Sequence, residues 1–287
     1  GIILYSISRE RDRGGAIFQI VDQINHGTKS MIDPEIKEDV VDLNFDAGSR
    51  ALNLSDHATA LVYLDKSFSL LPQNHWDSNY EFSLKLFLLI GKAAFSCGNL
   101  DRAYDALKDI LKEGRCLEDK FDAYHVYVTI LTSEGKNEAW TTCCGVLSKI
   151  GQPIPDKFDN KTSKAMVEET RELLKSISFD DLLGMQDMDS EFSTKLRFYT
   201  LLLFIAFWKK PQLITLIACR MIQISLEHGV CKDSVFGFVQ YAAIICNLSK
   251  SEEVKYIQEA CRIGKVGMSL LQRFGSPADI MPKVYFC

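Results

Sequence analysis

What this sequence lacks narrows its chemistry first. It has no excess of positive charge: 33 lysines and arginines are outnumbered by 38 aspartates and glutamates, for a net charge of −5. The basic residues, among them Lys29, Lys37, Lys108 and Lys149, are dispersed among acids. Nucleic acid binding needs a concentrated cationic face, so no nucleic-acid partner is expected. No apolar run reaches the roughly 20 residues of a membrane-spanning helix. The most apolar stretch, 198–208, is bracketed by Arg197 and by Lys209–Lys210, and Pro211 ends it. It reads as a buried core helix. The opening GIILYSISRERDRGG carries its charge after a short apolar run, the reverse of a secretory signal. A soluble, cytoplasmic chain that does not engage the membrane is the expectation.

Catalytic and metal-binding signatures are absent too. There is no GxxxxGK[ST] phosphate loop, no HRD, DFG or GxSxG, and the only glycine doublet, Gly14–Gly15, follows no strand. The histidines at 26, 57, 75, 125 and 228 form no HExxH or other ligand spacing. Nine cysteines, an odd number without a CxxC pair, do not make a disulfide framework or a zinc knuckle. They read as small buried hydrophobes of a reducing compartment. Cys143 and Cys144 are adjacent, but on a helix their side chains diverge. The sequons at Asn53, Asn160 and Asn247 read as chance matches without a secretory signal. Acidic pairs at Asp180–Asp181, Asp187/Asp189 and Glu252–Glu253 flank helix starts, where carboxylates meet the N-terminal dipole. No catalytic constellation, cofactor site or metal site is expected in the chain.

What is present is helical periodicity. Apolar residues recur at i, i+3, i+4 and i+7 nearly throughout, and strand alternation is scarce. After Asp56, a capping residue, Ala60, Leu61, Leu64, Phe68 and Leu71 form one stripe that Pro72 closes. After Asn99, Ala103, Leu107, Ile110 and Leu111 form another. Further helices are expected near 13–26, 34–53, 78–97, 117–134, 136–149, 162–175, 191–208, 211–228, 233–247 and 252–273. NHWDSN and GRCLEDK read as inter-repeat loops.

These helices show a repeat. Gly48, Ala60 and Pro72 follow one another at intervals of 12, with Ala47 and Ala51 beside Gly48. Gly91 and Ala103 repeat the interval, and Ala94 stands where Ala51 stood. In a third, weaker copy Ala139 takes the alanine position and Tyr127 replaces the glycine. This spacing resembles the tetratricopeptide pattern, whose small residues let two antiparallel helices cross closely. The resemblance implies an all-α, right-handed tetratricopeptide-like superhelix, an α-solenoid of antiparallel helix pairs. The expected order is an entry segment and first helix over 1–33 and repeats over 34–150. An irregular connection with a short helix then fills 151–190, and further pairs of the same array fill 191–287. A helix beginning near Met281 with no capping helix after it, and a start at Gly1, suggest a segment of a longer polypeptide.

The order of IFQIVDQINHG (17–27), the 42–76 stretch, FSCGNLDRAYDALKDIL (95–111), DDLLGMQDM (180–188) and 221–246 also resembles one larger family. It is similar to the helical region of large predicted-ATPase signalling proteins of the STAND or AAA-like type. In these, kinase, GAF, histidine-kinase or cyclase modules flank the array. The resemblance implies a non-catalytic interaction scaffold or coupling arm, with the ATPase outside this chain and protein as its partner. A small-molecule-sensing array is the alternative, and an all-helical enzyme a more distant one. The aromatics Trp76, Tyr80, Phe82, Phe87 and Phe95, then Phe121, Tyr124 and Tyr127, cluster in the second and third copies. Most should pack the core, with a minority lining a concave face. A carboxylate clamp on that face would draw on Arg50, Asn53, Lys85 and Lys92.

Overall fold

The structure, a computed structural model, describes residues 17–27, 34–155, 158–248 and 254–286. The run 9–13, Gly14–Gly15, Glu252–Glu253 and Cys287 lie outside them. Among the described residues the chain is all-helical, and its only β pairing is an isolated bridge between Asp187 and Val230. No helix among them is long and apolar enough to cross a membrane. The chain divides into two compact units, 1–130 and 131–287.

In the first unit, α1 (Ile17–Gly27), α2 (Pro34–Asn53), α3 (His57–Ser69), the single turn α4 (His75–Ser78), α5 (Tyr80–Ser96) and α6 (Leu100–Glu113) follow one another. α7 (Phe121–Ser133) begins after a 3-10 turn at Glu118–Lys120. Packing follows chain order: α1 on α2, α2 on α3, α3 on α5, α5 on α6. Ile17, Val21 and Ile24 bury against Val40, Leu43 and Ala47. Beside them Asn25 and Asn44 exchange amide hydrogen bonds of 2.8 and 3.1 Å, so both polar groups are satisfied.

A similar close approach occurs at two of the glycines. A Cβ built on Gly48 would lie 2.6 Å from Leu64 Cγ, and one on Gly91 would lie 2.9 Å from Leu107 Cδ2. Only glycine lets these helices approach so closely. The tetratricopeptide spacing implies that each glycine faces the alanine 12 residues further along the chain. The side chain opposite is instead the leucine one turn further on, with the Ala60 carbonyl oxygen 3.2 Å from the Gly48 position. The turns match as well. Asp56 N–H donates to Ala51 O and Asn99 N–H to Ala94 O, each at 2.9 Å, around left-handed Ser55 (φ 61°) and Gly98 (φ 75°). Asp56 then caps α3 by accepting from Thr59 N–H at 3.1 Å, and Asn99 caps α6 by accepting from Arg102 N–H at 3.2 Å. A third such turn, Lys136 N–H to Leu131 O around Gly135, precedes α8 (Glu138–Lys149). Ala47, Ala51, Ala60, Ala94, Ala103 and Ala139 are all buried.

The second unit departs from chain order. After α8 come α9 (Asn160–Lys175), α10 (Phe179–Leu183), α11 (Ser190–Lys209), α12 (Ile214–His228), α13 (Ser234–Leu248), α14 (Val254–Arg273) and α15 (Met281–Phe286). α8 packs on α11, α9 on α12 and α10 on α14, while α11 to α14 stack in sequence. The stretch 151–190 therefore holds a full-length helix whose Val167 and Leu174 join the core cluster. Arg262 fastens its end by donating to Leu174 O and Ile177 O at 2.9 and 3.0 Å. Arg273 donates to Leu183 O and Met185 O and pairs with Asp187. Arg171 pairs with Glu259 at 2.6 Å, both nearly buried. Gly229, at φ 96°, admits the bridge strand: a Cβ there would sit 2.5 Å from Gln186 O. In the apolar stretch 198–208 of α11 most residues are buried, Phe204 and Phe207 are half-buried and Trp208 is exposed.

Candidate binding cleft

A concavity of about 760 Å³ lies within the first unit. One wall is the start of α2, with Lys37, Glu38, Val41 and Asp42; the other is the α4–α5 junction from Asp77 to Phe82. Leu70, Leu71, Pro72 and Arg115 complete its lining. Pro72, read as a repeat marker, thus lines the cleft, where it follows the end of α3. The walls are pinned: Ser67 Oγ donates to Val41 O at 2.9 Å, and Phe82 packs on Phe45 with ring centroids 4.9 Å apart.

The GRCLEDK loop folds around Asp119. Its carboxylate accepts from Tyr80 Oη at 2.5 Å and from the N–H groups of Arg115 and Cys116 at 3.2 Å each. These donors, Tyr80 first, hold the Asp119 carboxyl below the ordinary carboxylate value. Burial, together with the bond to Asp119, pushes the Tyr80 phenol upward, so it stays a donor. The Arg115 guanidinium lies 3.9 Å from the Tyr80 ring centroid. Behind the wall His75 is buried, its ring stacked on Phe87 at 5.4 Å and its Nδ1 2.9 Å from Ser83 Oγ. Burial pushes the His75 imidazole downward, so the neutral ring is favoured.

Of the aromatics singled out in the sequence, Tyr80 and Phe82 line the cleft, while Trp76 and Phe87 pack behind it. The proposed clamp residues do not converge here. Asn53 and Lys85 are exposed, Arg50 and Lys92 half-buried, and none of the four lines the cleft. Glu38, Asp77, Glu81 and Arg115 were not foreseen, since nothing in their spacing distinguishes them from other solvated charges. Among the described residues no cluster of three or more His, Cys, Asp or Glu side chains is placed to hold a metal ion. Cys143 is buried, its thiol 3.4 Å from Phe198 O, whereas Cys144 turns away and is half-buried. Asp189 caps α11, and Ser178 caps α10 by accepting from Asp181 N–H. No protein-family model, curated protein or solved structure matches the chain.

Proposed function

We propose that this chain is a non-catalytic protein-interaction array, a tetratricopeptide-like α-solenoid that couples modules of a larger ATP-dependent signalling protein in the cytoplasm. The observation that carries the reading is the duplicated crossing, Gly48 against Leu64 and Gly91 against Leu107, each with the same left-handed turn and side-chain cap. Repeated hairpins that bury one face on the next leave extended surfaces open to a partner. The cleft is such a surface, apolar at its base and charged at its rim.

The test is an unbiased selection of displayed peptides on the purified chain. Binders that lose affinity on Tyr80→Ala, in a variant whose melting is unchanged, would support the reading. A selection that enriches nothing would refute it. The cleft volume also lies within the roughly 300–1,000 Å³ range of small-molecule sites, which favours a sensing array as the second reading. A metabolite that raises the melting temperature strongly in the wild type, and not in Tyr80→Ala, would favour that reading over the first.

A further inference from the structure

We infer that the cleft takes an extended, basic protein segment whose side chains alternate between cationic and apolar; this rests on the interaction-array reading and adds the chemistry of the partner. The rim holds four carboxylates, Glu38, Asp42, Asp77 and Glu81, and two cations, Lys37 and Arg115. Arg115 is already occupied by the Tyr80 ring and by the Trp76 carbonyl oxygen, 3.4 Å from its guanidinium. Glu38, Asp77 and Glu81 are exposed and make no ion pair among the described residues. An arriving cation therefore displaces no existing partner of theirs, whereas an anionic ligand meets a net negative rim.

The base of the cleft has a different character. Val41 is buried, and Leu70, Leu71 and Phe82 are half-buried, so they present apolar surface below the charges. An extended chain sends successive side chains to opposite sides. One set then reaches the apolar base while the other meets the rim carboxylates, which a helix or an all-basic tract does less well.

Three labelled peptides test this by fluorescence polarisation against the purified chain: alternating lysine and leucine, alternating glutamate and leucine, and the first composition rearranged into two blocks. The alternating basic peptide is expected to bind best and to weaken about tenfold at high salt, as the screening length shortens to about 3 Å at 1 M. The Asp77→Lys/Glu81→Lys variant, checked for wild-type melting, should weaken it at least about tenfold again, because repulsion replaces attraction at the rim. Equal binding of the glutamate peptide would overturn the charge assignment, and equal binding of the block peptide would overturn the extended conformation. Unchanged binding by the double variant would overturn the location. If none of the three binds while unbiased selection yields binders, this inference fails and the array reading stands; if selection yields none, both fail.

Discussion

Between residues 34 and 113 each long helix packs on the long helix before it, whereas Asn160–Lys175 passes over its neighbours to pack on Ile214–His228. The first arrangement is fixed by short-range geometry: a glycine, a left-handed turn and a capping side chain, all within about one hairpin. The second is fixed by charged groups far apart in the chain. Arg171 meets a glutamate 88 residues away, and Arg262 meets carbonyls 85 and 88 residues back. A local device repeats, so it leaves a period in the sequence. A long-range staple occurs once and leaves none. Local contacts also cost less loop-closure entropy than distant ones, so the first unit relies on close backbone approach and the second on bonds that hold an out-of-order segment in place.

The largest expected effect tests the staples. Replacing Arg171 by Met leaves Glu259 buried without its ion pair, and breaking such a pair from one side costs about 3–5 kcal/mol. Urea unfolding should register that loss. Replacing Arg171 and Glu259 together by apolar residues of similar size should recover most of it, since a packed apolar pair is a fair substitute for a buried ion pair. A single variant as stable as wild type would remove the distinction between the units, because the segment would then be held by apolar packing alone.

A second pair of variants tests the glycines. Gly48→Ala places a methyl group 2.6 Å from Leu64 Cγ, and overpacking of this kind costs about 1–3 kcal/mol. Gly145, within α8, has nothing within 4 Å of its added Cβ. There the same substitution should stabilise by about 0.5–1 kcal/mol, because alanine loses less backbone freedom than glycine in a helix. Opposite signs in the two unfolding midpoints would confirm that crossing geometry, rather than helix propensity, selects Gly48.

The same contrast explains what could be read in advance. Pro34–Asn53, the caps Asp56 and Asn99 and the glycine spacing were legible because each rests on residues within a few turns of one another. The leucines facing the glycines were not, because a stripe of Ala60, Leu61 and Leu64 does not say which member meets the neighbouring backbone. His75–Ser78 and Glu118–Lys120 looked like loops, yet they bring Tyr80, Asp119 and Arg115 together; bonds from one loop to another have no periodicity. The aromatic cluster did mark the region of the cleft through Tyr80 and Phe82. Arg50, Asn53, Lys85 and Lys92 do not line the cleft, and an exposed helical face looks the same in sequence whatever lies opposite.

Acid should act on the first unit through His75. Burial lowers its imidazole below 6.5, against the opposing pull of Asp109 and Glu113. Its contribution is therefore whole above pH 6.5 and is lost as the pH falls through the depressed folded value, where the unfolded chain binds the proton first. Asp119, also held down, gives way only below its ordinary value of 3.8. His75→Phe should flatten the fall in melting temperature as the pH drops from 6.5 through the depressed folded value, by an amount on the order of a few degrees. An unchanged slope would place the acid sensitivity elsewhere.

The smallest effect is expected at the repeated turn itself. Asn99→Ala removes the acceptor for Arg102 N–H at the start of α6, and loss of such a cap costs about 1 kcal/mol. Asp189→Ala removes the corresponding acceptor for Phe192 N–H in α11. Similar costs in both would mean that helix ends are built alike in the two units, and that the difference between them lies only in how the helices are fastened together. Amide hydrogen exchange resolves this locally. Loss of protection confined to the first turn of α6 in the one variant and of α11 in the other supports that view. Loss spreading through Ala103 and Leu107 in the Asn99 variant alone would mean that the cap also holds the Gly91 crossing in register, making the turn and the close approach a single device.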